Sequence, residues 1–164
     1  SHSMGYRSLL FSHKNIKVDT NKCRSIYRHR NFNPNLEGSV LSLVSLGKTT
    51  DSMYPDFNQL IDRYDLNAEA DNLQDIVQYS SEVLDQSLDD MNTIDLDDMV
   101  YLPAIGRSRL YPVDYLFIDE AQDMNAAQLA MFKKALKFDG RLIAIGDRNQ
   151  SIYGFRGADA IYML

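Results

Sequence analysis

The sequence predicts an α/β fold: a short parallel sheet continuous with a helical, acidic middle segment. Three observations carry this expectation. Residues 115–118 and 142–145 are short apolar runs, followed by Asp119 and by Gly146-Asp147. Runs of this length between turn residues suit strands buried on both faces, as in a parallel sheet. Residues 126–138 between them read as a helix with Leu129, Phe132 and Leu136 on one face, and strand, helix, strand at this length forms a right-handed crossover. Third, residues 71–92 hold Leu73, Ile76, Val77, Val83, Leu84 and Leu88 at helical spacing, with acids on the opposite side.

A chain of 164 residues with 45% apolar content allows one domain, or one domain with a subdomain inserted into it. No apolar run approaches the roughly 18 residues of a membrane span. The opening SHSMGYRSLL lacks the charged start and apolar core of a secretory leader. A single cysteine, Cys23, cannot form an internal disulfide, which fits a reducing compartment. A soluble, cytoplasmic protein is expected.

The net charge of -6 argues mildly against nucleic acid as a partner, but the charge is unevenly placed. Residues 1–30 carry Arg7, Lys14, Lys17, Lys22, Arg24, Arg28 and Arg30 against Asp19 alone. Residues 51–99 reverse this, with fourteen Asp and Glu and only Arg63. Phosphate responds to the local field rather than to the total. The basic block is therefore either a solvated helix surface or a nucleic-acid surface, and the acidic block is expected to be a solvated helix face.

In chain order, residues 1–11 read as a loop entering a helix and residues 21–30 as a second short helix. Asn31 to Asn35 (NFNPN) is a breaker. An apolar segment follows over 36–46, then a loop over 47–55 and a short helix over 57–64. The long helical pattern of 71–92 comes next, and residues 94–102 read as a further short helix. Residues 106–112 loop into the first strand. Gly47, Lys48, Thr49 and Thr50 imitate the end of a phosphate-binding GxxxxGK[ST] loop, but Ser42 stands where its first glycine belongs. The residues before Gly47 look helical rather than strand-like, so this stretch is read as an ordinary loop.

In open α/β sheets, ligands bind beyond the carboxyl ends of the strands, where Asp119-Glu120 and Gly146-Asp147 fall. An Asp-Glu pair at a strand end can hold Mg²⁺ and polarise a water for attack on a γ-phosphate. Gln122 and Asp123 continue the first turn. Gln150 follows the second strand, where it can sense the γ-phosphate. Ser151, Tyr153, Phe155 and Arg156 crowd hydroxyl, aromatic and guanidinium groups into one turn, a composition suited to stacking on unpaired bases. Core packing is the competing role for Tyr153 and Phe155.

Asp119-Glu120-Ala121-Gln122-Asp123 resembles motif II, DEAQD, of the UvrD/Rep/PcrA-like superfamily 1 DNA helicases. GDRNQSIYGFRGA, residues 146–158, resembles their motif III, GDxxQSIYxFRGA. Ser1-His2-Ser3-Met4-Gly5 is similar to the end of their motif Ib, T-x-HS-x-G, and Asp95-Leu96-Asp97-Asp98-Met99 to a DFDDL-like segment.

The resemblance implies a partial RecA-like P-loop NTPase domain (1A) carrying an all-helical inserted subdomain (1B). Residues 1–12 would be the end of 1A at motif Ib, 13–98 the helical 1B-like subdomain, and 99–164 the 1A core with motifs II and III. It implies ATP and Mg²⁺ as cofactors, with Asp119 as the metal ligand and Glu120 as general base for water. Gln122 and Gln150 would bind nucleotide, Gln150 also acting in catalysis at the γ-phosphate. His2, Tyr153, Phe155 and Arg156 would bind DNA, with Phe155 where the family more often has Trp. The basic block over residues 14–30 is a candidate duplex surface. The implied activity is ATP-dependent 3′–5′ movement on single-stranded DNA and DNA junctions. The family's Walker A loop would lie upstream of Ser1 and its second RecA-like domain downstream of Leu164. The isolated chain is accordingly expected to be inactive, with a sheet incompletely covered. The alternatives are a non-catalytic DNA- or protein-binding module keeping the helicase fold, and an unrelated P-loop ATPase with a similar Asp-Glu pair.

Overall fold

The computed structural model describes residues 1–12, 15–64, 66 and 72–147. Its order is α1 (His2–Ser12), β1 (Lys17–Val18), α2 (Lys22–His29), α3 (Glu37–Gly47), α4 (Phe57–Tyr64), α5 (Leu73–Asp89), β2 (Thr93–Ile94), α6 (Asp98–Ala104), β3 (Val113–Ile118), α7 (Ala126–Ala135) and β4 (Leu136–Ala144). Single 3-10 turns cover Pro34–Leu36 and Ala121–Asp123.

The helical segment forms because its apolar residues recur every three or four positions. On α3, Val40, Leu43, Val44 and Leu46 are buried, and α5 opposes them with Ile76, Val83, Leu84 and Leu88. Ser80 and Ser87 complete the α5 stripe, their small side chains letting the helices approach. The breaker predicted at residues 31–35 is real: Asn31 turns into the left-handed region at φ 53°, which Asn tolerates better than most residues. One expectation fails here. The segment expected to be all-helical contains a two-residue parallel ladder, Lys17 opposite Thr93 and Val18 opposite Ile94. Ile94 therefore belongs to β2, and the helix predicted over 94–102 begins only at Asp98. Two-residue strands are too short for any alternation to show in sequence.

A second, smaller core lies between α6, α7 and the sheet, built from Val100, Ala104, Ile118, Met124, Ala127, Met131 and Phe132. Helix α6 contributes to both cores, since Met99, Tyr101 and Leu102 face the helical one. It crosses α1 so closely that a Cβ on Gly5 would overlap the Met99 carbonyl, which gives the glycine of the HS-x-G pattern a steric reason.

Strands β3 and β4 are parallel, with Leu116 opposite Leu142 and Ile118 opposite Ala144. The register is broken near the start: β3 advances from Val113 to Tyr115 while β4 advances from Leu136 to Arg141. The helix predicted to reach residue 138 stops at Ala135, because Leu136 is already extended at ψ 139° and pairs in the sheet. Leu136 is thus a strand residue, not part of the helix face.

Burial on both faces is also corrected. Leu116, Ile118 and Leu142 turn inward to the α7 core, but Tyr115 (60% exposed), Phe117 (70%), Ile143 and Ile145 open outward on the other face.

Candidate nucleotide site at the strand ends

The carboxyl ends of β3 and β4 are tied together by backbone. Ile145 N–H donates to Ile118 O (2.8 Å) and Ala121 N–H to Ile145 O (2.9 Å). The chain therefore leaves both strands at one edge, and Asp119, Glu120, Gly146 and Asp147 gather there as the sequence predicts. Asp119 Oδ1 accepts the Glu120 N–H at 3.0 Å, which orients its carboxylate beside the strand end. Glu120 sits in the left-handed region at φ 53°, ψ 46°, a conformation that disfavours side chains with a Cβ. Its carboxylate is held by Gln122, whose Nε2 donates to Oε2 at 2.6 Å. Gln122 itself is buried, and its Oε1 accepts the Asp147 N–H at 3.0 Å.

Behind this edge, α7 is set by a capping box: Asn125 Oδ1 accepts the Gln128 N–H (2.9 Å) and Gln128 Oε1 accepts the Asn125 N–H (3.0 Å). The Ala127 N–H, also in the first turn, donates to Thr49 O at 2.8 Å. His2 lies on the same cleft, of about 750 Å³, as Thr49, Asp123, Asn125 and Gln128. The structure thus brings His2 close to the stretch following Glu120. Gln150, Tyr153, Phe155 and Arg156 lie outside the described residues.

Asp119 and Glu120 supply hard oxygen donors, and no group of three His, Cys, Asp or Glu able to hold a metal occurs among the described residues. That donor set fits Mg²⁺, which is commonly bound through one or two carboxylates with water and substrate phosphate completing its shell.

The GK segment behaves as expected of a non-phosphate site, but not as a surface loop. Gly47 ends α3, so Lys48 stands at the helix terminus that repels anions. Its ammonium is buried, 2.6 Å from Asp95 Oδ2 and 2.8 Å from Asp98 Oδ1. Lys22 Nζ reaches Asp98 Oδ2 at 2.8 Å and also donates to Ser87 O. Burial acts to lower the Lys48 pKa, but Asp98 and Asp95 outweigh it and the net shift is upward. Burial likewise works against the Asp95 carboxylate, and Lys48 reverses it to leave the Asp95 pKa depressed. Burial pushes the neighbouring Cys23 thiol up to about 11, which leaves it protonated and a weak nucleophile.

This buried cluster, unanticipated in the sequence, corrects the reading of both charge blocks. Asp95 and Asp98 are interior groups rather than part of a solvated acidic face. In the basic block, Lys22 is buried, Arg24 and Arg28 both pair with Glu37 (3.2 and 2.9 Å), and Arg30 pairs with Glu82. The positive field expected over residues 14–30 is therefore partly neutralised in place.

A family model described as the UvrD/REP helicase N-terminal domain matches residues 2–164. The chain belongs to the UvrD/REP helicase family. It is 31% identical to the ATP-dependent DNA helicase PcrA of Bacillus subtilis (strain 168) over 148 residues, 86% of this chain and 19% of that protein. It is 35% identical to the ATP-dependent DNA helicase Rep of Escherichia coli (strain K12) over 82 residues, 45% of this chain and 12% of that protein. The ATP-dependent DNA helicase PcrA of Staphylococcus aureus (strain NCTC 8325 / PS 47) matches at 39% over 69 residues, 42% of this chain and 9% of that protein. The matched stretches are thus at most about a fifth of these relatives. Among the described residues no helix is long and apolar enough to cross a membrane.

Proposed function

We propose that this chain is part of an ATP-dependent DNA helicase, a cytoplasmic enzyme that couples ATP hydrolysis to 3′–5′ movement on single-stranded DNA and at junctions. The observation carrying the proposal is the pairing of the Asp119-Glu120 turn with the Gly146-Asp147 turn at one sheet edge, within a UvrD/REP family chain. In this reading residues 1–12 and 99–164 belong to a RecA-like 1A domain and residues 13–98 to an inserted 1B subdomain.

Asp119 would hold the magnesium of Mg-ATP, whose charge would offset that building on the phosphate oxygens. Glu120 accepts the proton of the attacking water, Gln122 serves the nucleotide site through Glu120, whose carboxylate it holds, and Gln150 acts next to the γ-phosphate. His2, Tyr153, Phe155 and Arg156 contact the DNA strand, the rings by stacking on bases and Arg156 through its charge. The 164 residues contain no GxxxxGK[ST] pattern. Hydrolysis needs the charge such a loop contributes, so the isolated chain turns over no Mg-ATP.

The test is Glu120→Gln in the full-length protein. DNA-stimulated hydrolysis should disappear while nucleotide binding persists. A full-length wild type that binds DNA yet never hydrolyses ATP would instead indicate a non-catalytic DNA- or protein-binding module.

A further inference from the structure

The carboxamide of Gln122 is used from both ends. Nε2 donates to Glu120 Oε2 at 2.6 Å while Oε1 accepts the Asp147 N–H at 3.0 Å. A carboxylate only accepts and a backbone amide only donates, so the partners themselves fix which way the Gln122 amide points. The residue is 2% exposed, and its bonds join the end of β3 to the end of β4. Gly146 makes the approach possible: a Cβ there would stand 2.9 Å from Ala121 N and 3.1 Å from Gln122 N, and would overlap Gln122 Oε1.

We propose that Gln122 is a positioning residue that aims the Glu120 carboxylate by anchoring it to the backbone at Asp147. This rests on the reading of Glu120 as the base for water and deepens it. An amide suits the task because it donates to Glu120 without titrating, so it holds the base without competing for the proton.

Gln122→Glu tests this in the full-length protein. It keeps the length and the acceptor for Asp147, but replaces the donor to Glu120 with a second carboxylate. Losing the donor leaves the Glu120 carboxylate unheld and facing a second carboxylate, so kcat should fall on the order of tenfold to a hundredfold at near-constant KM. Gln122→Met, which loses both bonds, should lower kcat at least as far, again at near-constant KM. A merely structural role would lower Tm and leave the kcat of the folded enzyme unchanged, and that result overturns the proposal. If Gln122→Glu does not fold, the kcat and KM of Gln122→Met decide. Glu120→Gln separates the two readings. Retained hydrolysis in that variant removes the base and the proposal with it. Lost hydrolysis alongside wild-type behaviour of both Gln122 variants removes the proposal alone.

Discussion

Lys48 Nζ lies 2.6 Å from Asp95 Oδ2 and 2.8 Å from Asp98 Oδ1 inside the helical core, at the end of a helix and at the beginning of another. The pairing ties α3 to the segment that enters α6. Truncating one member of a buried pair strands the others' charge, at a cost of about 3–5 kcal/mol. Lys48→Met should therefore lower the stability of the chain by about that amount in urea denaturation. Arg30→Ala, which removes a partly exposed pair with Glu82, should cost about 1 kcal/mol or less. Equal effects of the two substitutions would contradict the interior role of Lys48.

The same cluster sets a pH window. The folded Asp95 pKa is depressed, so its contribution is present above the unfolded value of about 4 and is lost as pH falls through the lower folded value. The folded Lys48 pKa is raised, so its contribution is full below about 10.5 and declines as pH rises toward the folded value. Denaturation midpoints should be flat between these limits and fall on both sides. In Lys48→Met the alkaline decline should weaken.

Much of the architecture could be read from periodicity. The helix predicted over residues 57–64 is found at Phe57–Tyr64, and the long pattern of 71–92 becomes Leu73–Asp89. Both carry enough turns for an apolar stripe to declare itself. What escaped depends on partners distant in sequence. Lys48 and Asp95 are 47 positions apart, and charge blocks counted along the chain cannot show that oppositely charged members meet in the core. The early end of α7 is another such case, since Leu136 is taken by its pairing with Val113, a tertiary demand that overrides local helix preference. The Asn125–Gln128 box is legible as N-x-x-Q ahead of an apolar run. The strand-end carboxylates were placed from sequence because a sheet edge needs only strand order and direction.

The open face of β3 and β4 makes a solution prediction. Parallel sheets in folded domains are covered on both sides, whereas Tyr115, Phe117, Ile143 and Ile145 are exposed together. The purified 164-residue chain should bind an apolar dye such as anilinonaphthalene sulfonate under native conditions and self-associate in sedimentation experiments. Phe117→Ser with Ile143→Thr should reduce both. A monomer that binds no dye would contradict the exposure of this face.

Glu120 adopts φ 53° at the position expected to carry the proton transfer. Placing a Cβ in the left-handed region costs about 1–2 kcal/mol, so the backbone at this turn is held against its own preference by the surrounding sheet edge. Glu120→Ala and Glu120→Gly both remove the carboxylate and its bond to Gln122, and differ mainly in that Cβ. Glycine should consequently be the more stable of the two by about 1 kcal/mol, against the usual order in which alanine wins. Chemical denaturation of the two variants measures the difference directly. Alanine matching or exceeding glycine would mean that the turn is not strained in solution. If glycine wins, the natural Glu120 keeps a charged side chain where glycine would be more stable, as expected when the side chain is retained for function rather than for folding.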